Sequence, residues 1–402
     1  MEASQNPAQQ ISNSVPFYVF FYLIYFGTIG VMYPYLAMHL QSVGLTLQQI
    51  SWLYTAVPIA ALLTQQVWGY LADLVFTKRQ LMMIFSALSG LLFCTLRYST
   101  SPMVLFVYFL LWQSAALPQM QLVTSLVFSN RRCAEHFSFI RAFGSLGFVV
   151  TNFYMGWLIR DASPAIIFPF YLGYSALTLL LVYYIRDDSS HPERRPKFWT
   201  VQRQFLRRPG VKTFLVLVFL YESVHKVAMF FQTFLIADVG GDASLVGWCF
   251  SVGALVEIPV FFLADRLLAR WGEVRVMSIC AFMQVVRWVL VSNATSPWVI
   301  VATSPLHAIT FGLFYAASVT YMNYQAGYQL KASAQTLLGV VYIGLAGLNG
   351  FLAGGWLVKL FGTRRLFDFA AVGAVLACAI ALWLLRKHGP FVKRVDPLEI
   401  SV

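Results

Sequence analysis

Charged side chains are scarce in this chain. Asp, Glu, Lys and Arg make up 11% of its 402 residues, against roughly 25% in soluble domains. With 59% of residues hydrophobic, that scarcity excludes a water-soluble globular fold, whose core could not absorb so much apolar side chain. Cysteine is scarce too. Cys94, Cys249, Cys280 and Cys378 lie in apolar stretches and Cys133 lies between two of them. Their odd number and their spacing fit neither a disulfide set nor a metal site. The chain has no Gly-Lys-Ser/Thr phosphate loop and no His/Cys/Asp set at ligand spacing. The first absence excludes an ATP-driven pump, and the second leaves a membrane enzyme without its chemistry. No cofactor is expected.

What the sequence does have is apolar runs of about 20 residues, the length that crosses a bilayer as a helix. Backbone groups in hydrocarbon must bond within a helix or a closed barrel. These runs lack the polar alternation of barrel strands, so they read as helices. They fall near 17–40, 46–71, 80–98, 102–129, 138–160 and 165–186, then near 212–238, 243–268, 276–293, 297–323, 332–359 and 365–386. The expectation is an all-α membrane protein of twelve spanning helices: a six-helix bundle in 1–186, a basic linker in 187–211, and a second six-helix bundle with a tail in 212–402. The first run follows a polar start and lacks a small-residue cleavage site, so it reads as a retained helix and not a signal peptide.

The net charge of +12 is mostly topology. Alternate loops hold Lys78/Arg79, Arg131/Arg132, the linker cluster from Arg194 to Arg208, Arg266/Arg270/Arg275, Lys331, and Arg386/Lys387/Lys393/Arg394. Basic loops stay on the cytoplasmic side during insertion, which predicts both termini inside and a bacterial inner membrane as the location. Arg97, Arg160, Lys359, Arg364 and Arg365 fall on the other side. The bilayer is the expected partner, the linker being able to lie on anionic lipid. Nucleic acid is not expected, and a monomer is.

The two halves resemble each other. Ile50-Ser51-Trp52 recurs as Val246-Gly247-Trp248, Leu71-Ala72-Asp73 as Leu263-Ala264-Asp265, and Thr100-Ser101-Pro102 as Thr295-Ser296-Pro297. Transporters are commonly built from such repeats. Asp73 and Asp265 both stand where the second helix of a half leaves the membrane, with basic residues following. They are candidates for a conformational latch, with an ordinary solvated loop as the alternative, most of all for Asp265.

Gly69-x-Leu71-Ala72-Asp73 with Lys78-Arg79 resembles the signature loop of the major facilitator superfamily. Phe137-x-Phe139-x-Arg141-x-x-Gly144-x-x-Gly147 resembles the fifth helix of lactose permeases and nucleoside–proton symporters. Glu257-Ile258-Pro259, Arg287-Trp288 and Lys331-Ala332-Ser333-Ala334-Gln335 resemble the phenylpropionate permease and nucleoside symporter branches. The resemblance implies a secondary transporter with alternating access and an arginine at position 141 that binds substrate. It also matches Arg287 and His307 to a paired arginine and histidine of lactose permeases. The acids of those families do not carry over: Thr310 and Ala254 stand where lactose permeases have glutamates, and Val123, with Gln119 and Gln121 nearby, where Arg141 would have an acidic partner.

Charges inside spans each cost about 2.5–3.5 kcal/mol at the bilayer centre on insertion scales, so Arg141, Glu222, His225, Lys226, Glu257, Arg287 and His307 need a role. One role is structural pairing, since Glu222, His225 and Lys226 share a helix face. The other is transport. In that reading Arg141, Ser145, Phe148, His225, Arg287 and His307 bind substrate. A guanidinium suits carboxylates or paired hydroxyls. Glu257 and Glu222 then couple protons, Glu257 by alternating between a dry setting and one beside a cation such as Arg287. The expected function is proton-coupled symport of a sugar, nucleoside or aromatic acid. A uniporter of the same solutes and a sensor on a transporter fold are the alternatives.

Overall fold

The computed structural model describes residues 14–64, 76–128, 130–185, 206, 208–326 and 331–391. Among these residues there is no strand, and ten segments are long and apolar enough to cross a membrane. They are α1 Val15–Ser42, α2 Lys78–Tyr98, α3 Pro102–Phe128, α4 Phe139–Asp161, α5 Pro164–Tyr184, α6 Val211–Asp238, α7 Ala243–Trp271, α8 Glu273–Ser292, α9 Pro297–Ala326 and α10 Ala334–His388. The run expected at 46–71 is described as far as 64: helix Leu47–Tyr54 continues into helical residues 56–64. The latch residue Asp73 lies outside the described residues, as does 187–205 of the linker.

Local chemistry explains where the helices start. Thr46 and Thr77 each form a capping box, accepting from the backbone N–H of Gln49 and Gln80 at 3.3 and 3.2 Å, while those glutamines accept from the threonine N–H groups. Pro102, Pro164 and Pro297 open α3, α5 and α9, where a missing N–H costs nothing.

The sequence places a loop near 360–364. The structure breaks the helix within that range, at Gly362, with φ +80 and ψ 168. A straight helix of the 55 residues of α10 would be roughly 80 Å long, against about 30 Å of hydrocarbon. The break at Gly362 turns one continuous helical stretch into two arms.

The chain divides into two compact units, Met1–Glu193 with Asp242–Ser251, and Arg194–Gly241 with Val252–Val402. In the first, α1 lies along α4 at glycine contacts. A Cβ on Gly147 would run into the Leu23 carbonyl, and one on Gly144 would stand 2.7 Å from the Phe26 ring. Asn152 of α4 donates to the carbonyls of Gly30 and Tyr33, and Tyr35 donates to the Asn152 carbonyl at 2.5 Å. Trp52 stacks on Phe106 at 4.5 Å, and its repeat counterpart Trp248 meets the Phe153 ring edge-on at 4.8 Å. In the second unit, α10 packs along both α6 and α8. Tyr221 stacks on Phe314 at 3.6 Å and Phe214 on Tyr321 at 4.1 Å.

The basic residues on the side expected to face outward have local uses. Arg160 pairs with Asp161 at 2.8 Å and Arg365 with Asp368 at 3.2 Å. Arg364 donates to the Ser292 and Ala294 carbonyls at the end of α8.

Candidate functional site

Among the described residues, the first unit sets Arg141 within a span and the second sets a charged cluster within several. In the first, Arg141 stands near the start of α4, its guanidinium carbon 4.3 Å above the Phe26 ring. Its Nη1 donates to Ser145 Oγ, one turn on, at 3.2 Å. Gly144 provides the room for this cation–π contact, because any side chain there would occupy the position of the Phe26 ring. Tyr22, one turn before Phe26, stacks on it at 5.8 Å and shares a hydrogen bond with Thr124. Phe148 packs into the apolar core that Tyr22 and Phe26 also join. Gln119, which the sequence leaves as a neighbour for Arg141, is committed elsewhere. Its Nε2 donates to the Phe85 carbonyl, Ser89 Oγ and the Ala115 carbonyl at 3.0–3.1 Å.

The second cluster gathers residues from four spans. Arg287 of α8 is 1% exposed. Its Nη1 donates to Thr310 Oγ1 at 3.2 Å and reaches His307 Nδ1 at 3.3 Å, while Nη2 donates to Gln232 Oε1 at 3.4 Å and touches Met229 Sδ. An acceptor role for Nδ1 puts the proton of a neutral His307 on Nε2. His225, His307 and Phe311 form a stack of near-parallel rings at 5.1–5.7 Å. The structure thus brings His225, Arg287 and His307 together.

Glu222 and Lys226 form an ion pair at 3.6 Å, and the Lys226 ammonium lies 5.2 Å over the Tyr342 ring. Glu222 is fully buried. Glu257 of α7 packs its carboxylate against Gly312 of α9, where an added Cβ would stand 3.0 Å from its Cγ. One turn before Glu257, Gly253 faces His307. Asp265 is exposed and lies within α7 rather than in a loop.

Both α9 and α10 widen into π-helical turns beside this cluster, at Ala308–Leu313 and Val340–Leu345. Such bulges free backbone groups from the regular ladder and recur at functional sites. Here the freed Thr310 carbonyl accepts from the Tyr221 hydroxyl at 2.6 Å. The second bulge carries Tyr342 to the Glu222–Lys226 pair. Sequence reasoning missed Tyr342, Gln232 and Phe26. A bulge shifts the helical count, so no spacing rule finds Tyr342. His225 Nδ1, Gln284 Oε1 and Trp288 Nε1 are buried without a hydrogen-bond partner among the described residues. Buried polar atoms left so are expensive. Trp112 and Tyr321, by contrast, are packing residues: Trp112 donates to the Tyr171 hydroxyl among Phe93 and Phe109.

Comparison with known proteins agrees with this architecture. The chain is 26% identical over 381 residues to a maltose permease of Geobacillus stearothermophilus, covering 92% of this chain and 94% of that one. It is 25% identical over 320 residues to a probable 3-phenylpropionic acid transporter of Escherichia coli, covering 76% and 81%. The solved structure of the nucleoside transporter NupG superposes with a TM-score of 0.81 at 15% identity, over 95% of this chain and 100% of that one. Residues 17–369 match the MFS_1 like family. The chain therefore belongs to that family: it is an integral membrane transporter of the major facilitator superfamily, and not an enzyme.

Proposed function

We propose that the protein is a proton-coupled symporter of a small polar organic solute, a sugar, a nucleoside or an aromatic acid, working by alternating access as a monomer. The observation that carries this reading is the placement of ionisable groups within spans of both units: Arg141, half-buried near the start of α4, in one, and the buried Glu222, His225, Glu257 and Arg287 with the half-buried His307 in the other. Groups that are this costly to bury are accounted for if they handle a polar solute and a proton.

Arg141, with Ser145 and the Phe26 ring, offers a cation, a hydroxyl and an aromatic face, a set that suits a carboxylate or a sugar-like pair of hydroxyls. Arg287, His307 and His225 would serve as the second recognition group. Glu257 is the proposed proton carrier, with Glu222 held by Lys226 as the second acid. Asp73 and Asp265 are assigned to the latch between conformations. No cofactor enters this scheme, because the proton gradient drives it. The relatives' names support the solute classes: one transports maltose, another is a probable phenylpropionate carrier, and NupG carries nucleosides. The loop charges support cytoplasmic termini, and the named relatives from bacteria support a bacterial inner membrane.

A thermal-shift panel of the three solute classes on purified protein selects the ligand, and uptake into vesicles then tests the mode. Accumulation above the outside concentration when the interior is made alkaline supports symport. Equilibration without accumulation would instead make the protein a uniporter.

A further inference from the structure

Away from both clusters, the second unit has a groove of about 460 Å³ between the first turns of α6 and the last turns of α10, lined by Lys212, Thr213, Val216, Ala379, Ile380 and Trp383. Its volume falls within the roughly 300–1,000 Å³ typical of small-ligand sites. The floor is apolar: Val216 and Ala379 are exposed, and the small Ala379 side chain leaves the space open. One wall is the indole of Trp383, itself 47% exposed.

The rim is basic. Lys212 lines the groove, and the Lys387 ammonium stands 4.7 Å over the Trp383 ring. Arg386 lies beside Lys387 and Arg208 one turn before Lys212. The two helix ends lie close, since a Cβ on Gly210 would stand 3.3 Å from His388 Nε2. Gly210 itself has φ +82, which lets the chain turn tightly into α6 and keeps Lys212 at the rim.

We infer that this groove binds one anionic phospholipid, its acyl chain along Val216, Ala379 and Ile380 and its phosphate between Lys212 and Lys387. Charge complementarity selects this occupant. Two ammonium groups above an apolar trough at a span end match a headgroup phosphate with its chain below, and basic pockets between spans on the cytoplasmic side bind such headgroups. Trp383 fits the same position, since indoles favour the headgroup level. Because the lipid would touch both α6 and the outer arm of α10, it would brace α10 against the helix that carries the Glu222–Lys226 pair.

Native mass spectrometry of the full chain, titrated with phosphatidylglycerol or phosphatidylcholine, tests the inference. Phosphatidylglycerol is expected to bind at one site at least about fivefold more tightly than phosphatidylcholine. Lys212→Gln is expected to weaken phosphatidylglycerol binding about fivefold, the effect of one lysine near an anionic surface, while leaving phosphatidylcholine unchanged. Ala379→Trp fills the trough with both lysines intact and is expected to remove the selective site. Equal binding of the two lipids to the unaltered protein would overturn the inference whatever the variants do. So would full selectivity in the Lys212→Gln/Lys387→Gln double variant, which would place any lipid preference elsewhere on the chain. All the altered side chains are exposed, and an unchanged elution profile checks that they leave the fold intact.

Discussion

Lys226 places its ammonium 3.6 Å from the Glu222 carboxylate one turn earlier on α6, and 5.2 Å over the Tyr342 ring. A carboxylate with no exposed surface is thus matched by a lysine whose side chain keeps 23% of its area accessible. Breaking a buried pair from one side costs about 3–5 kcal/mol, because a charge is left behind, whereas removing both partners costs far less. Lys226→Met is therefore expected to lower the melting temperature sharply. Glu222→Gln combined with Lys226→Met is expected to recover most of that loss, and a double-mutant cycle by thermal unfolding measures the coupling.

Arg141→Lys keeps the positive charge near Phe26 but loses the planar fork. A hydrogen bond to a charged group contributes about 1.5–3 kcal/mol, so solute binding is expected to weaken about tenfold or more while the melting temperature of the unliganded protein changes little. Isothermal titration with the solute found by the thermal-shift panel measures this. Unaltered affinity would remove Arg141 from the binding site.

Gly147→Ala tests the packing of α1 on α4, because its Cβ would meet backbone at the Leu23 carbonyl and not a movable side chain. Overpacking of this kind costs about 1–3 kcal/mol. The variant is expected to melt at a lower temperature, and a variant as stable as the parent would mean that the two helices separate at no cost.

Asp242 precedes α7 and accepts from Ser244 Oγ at 2.6 Å and from the Leu245 N–H at 3.0 Å. Partial burial pushes its carboxyl upward, but these hydrogen bonds and Arg160 outweigh it and hold the group below its ordinary value. A depressed carboxylate contributes stability above its unfolded value, near pH 4, and loses it as pH falls through the folded value. Asp242→Ala removes a helix cap and is expected to cost about 0.5–2 kcal/mol at neutral pH. The difference from the parent should shrink below pH 4, read from melting temperatures across pH.

Much of the architecture was legible in the sequence because bilayer spans are set by local composition. Val211–Asp238 and Pro102–Phe128 lie within a residue of their apolar runs. The break at 360–364 was legible too, but that a single positive-φ residue, Gly362, makes it was not. The pairs at four-residue spacing, Arg141 with Ser145 and Glu222 with Lys226, follow from helical periodicity alone. Arg287 with Gln232, and Arg141 with Phe26, depend on how separate helices pack, and no local pattern encodes that. The π-helical turn at Val340–Leu345 hid Tyr342 for a further reason, because it shifts the face a residue presents.

The central claim is that solute and proton move together, with Glu257 carrying the proton. The most direct measurement is the external pH of weakly buffered vesicles, without an imposed gradient, when the identified solute is added. Unaltered protein is expected to alkalinise the medium as solute enters, and Glu257→Gln to abolish that signal while still exchanging labelled for unlabelled solute. Solute entry with no change in external pH would contradict the claim, and an undiminished pH signal in Glu257→Gln would move the proton to another residue.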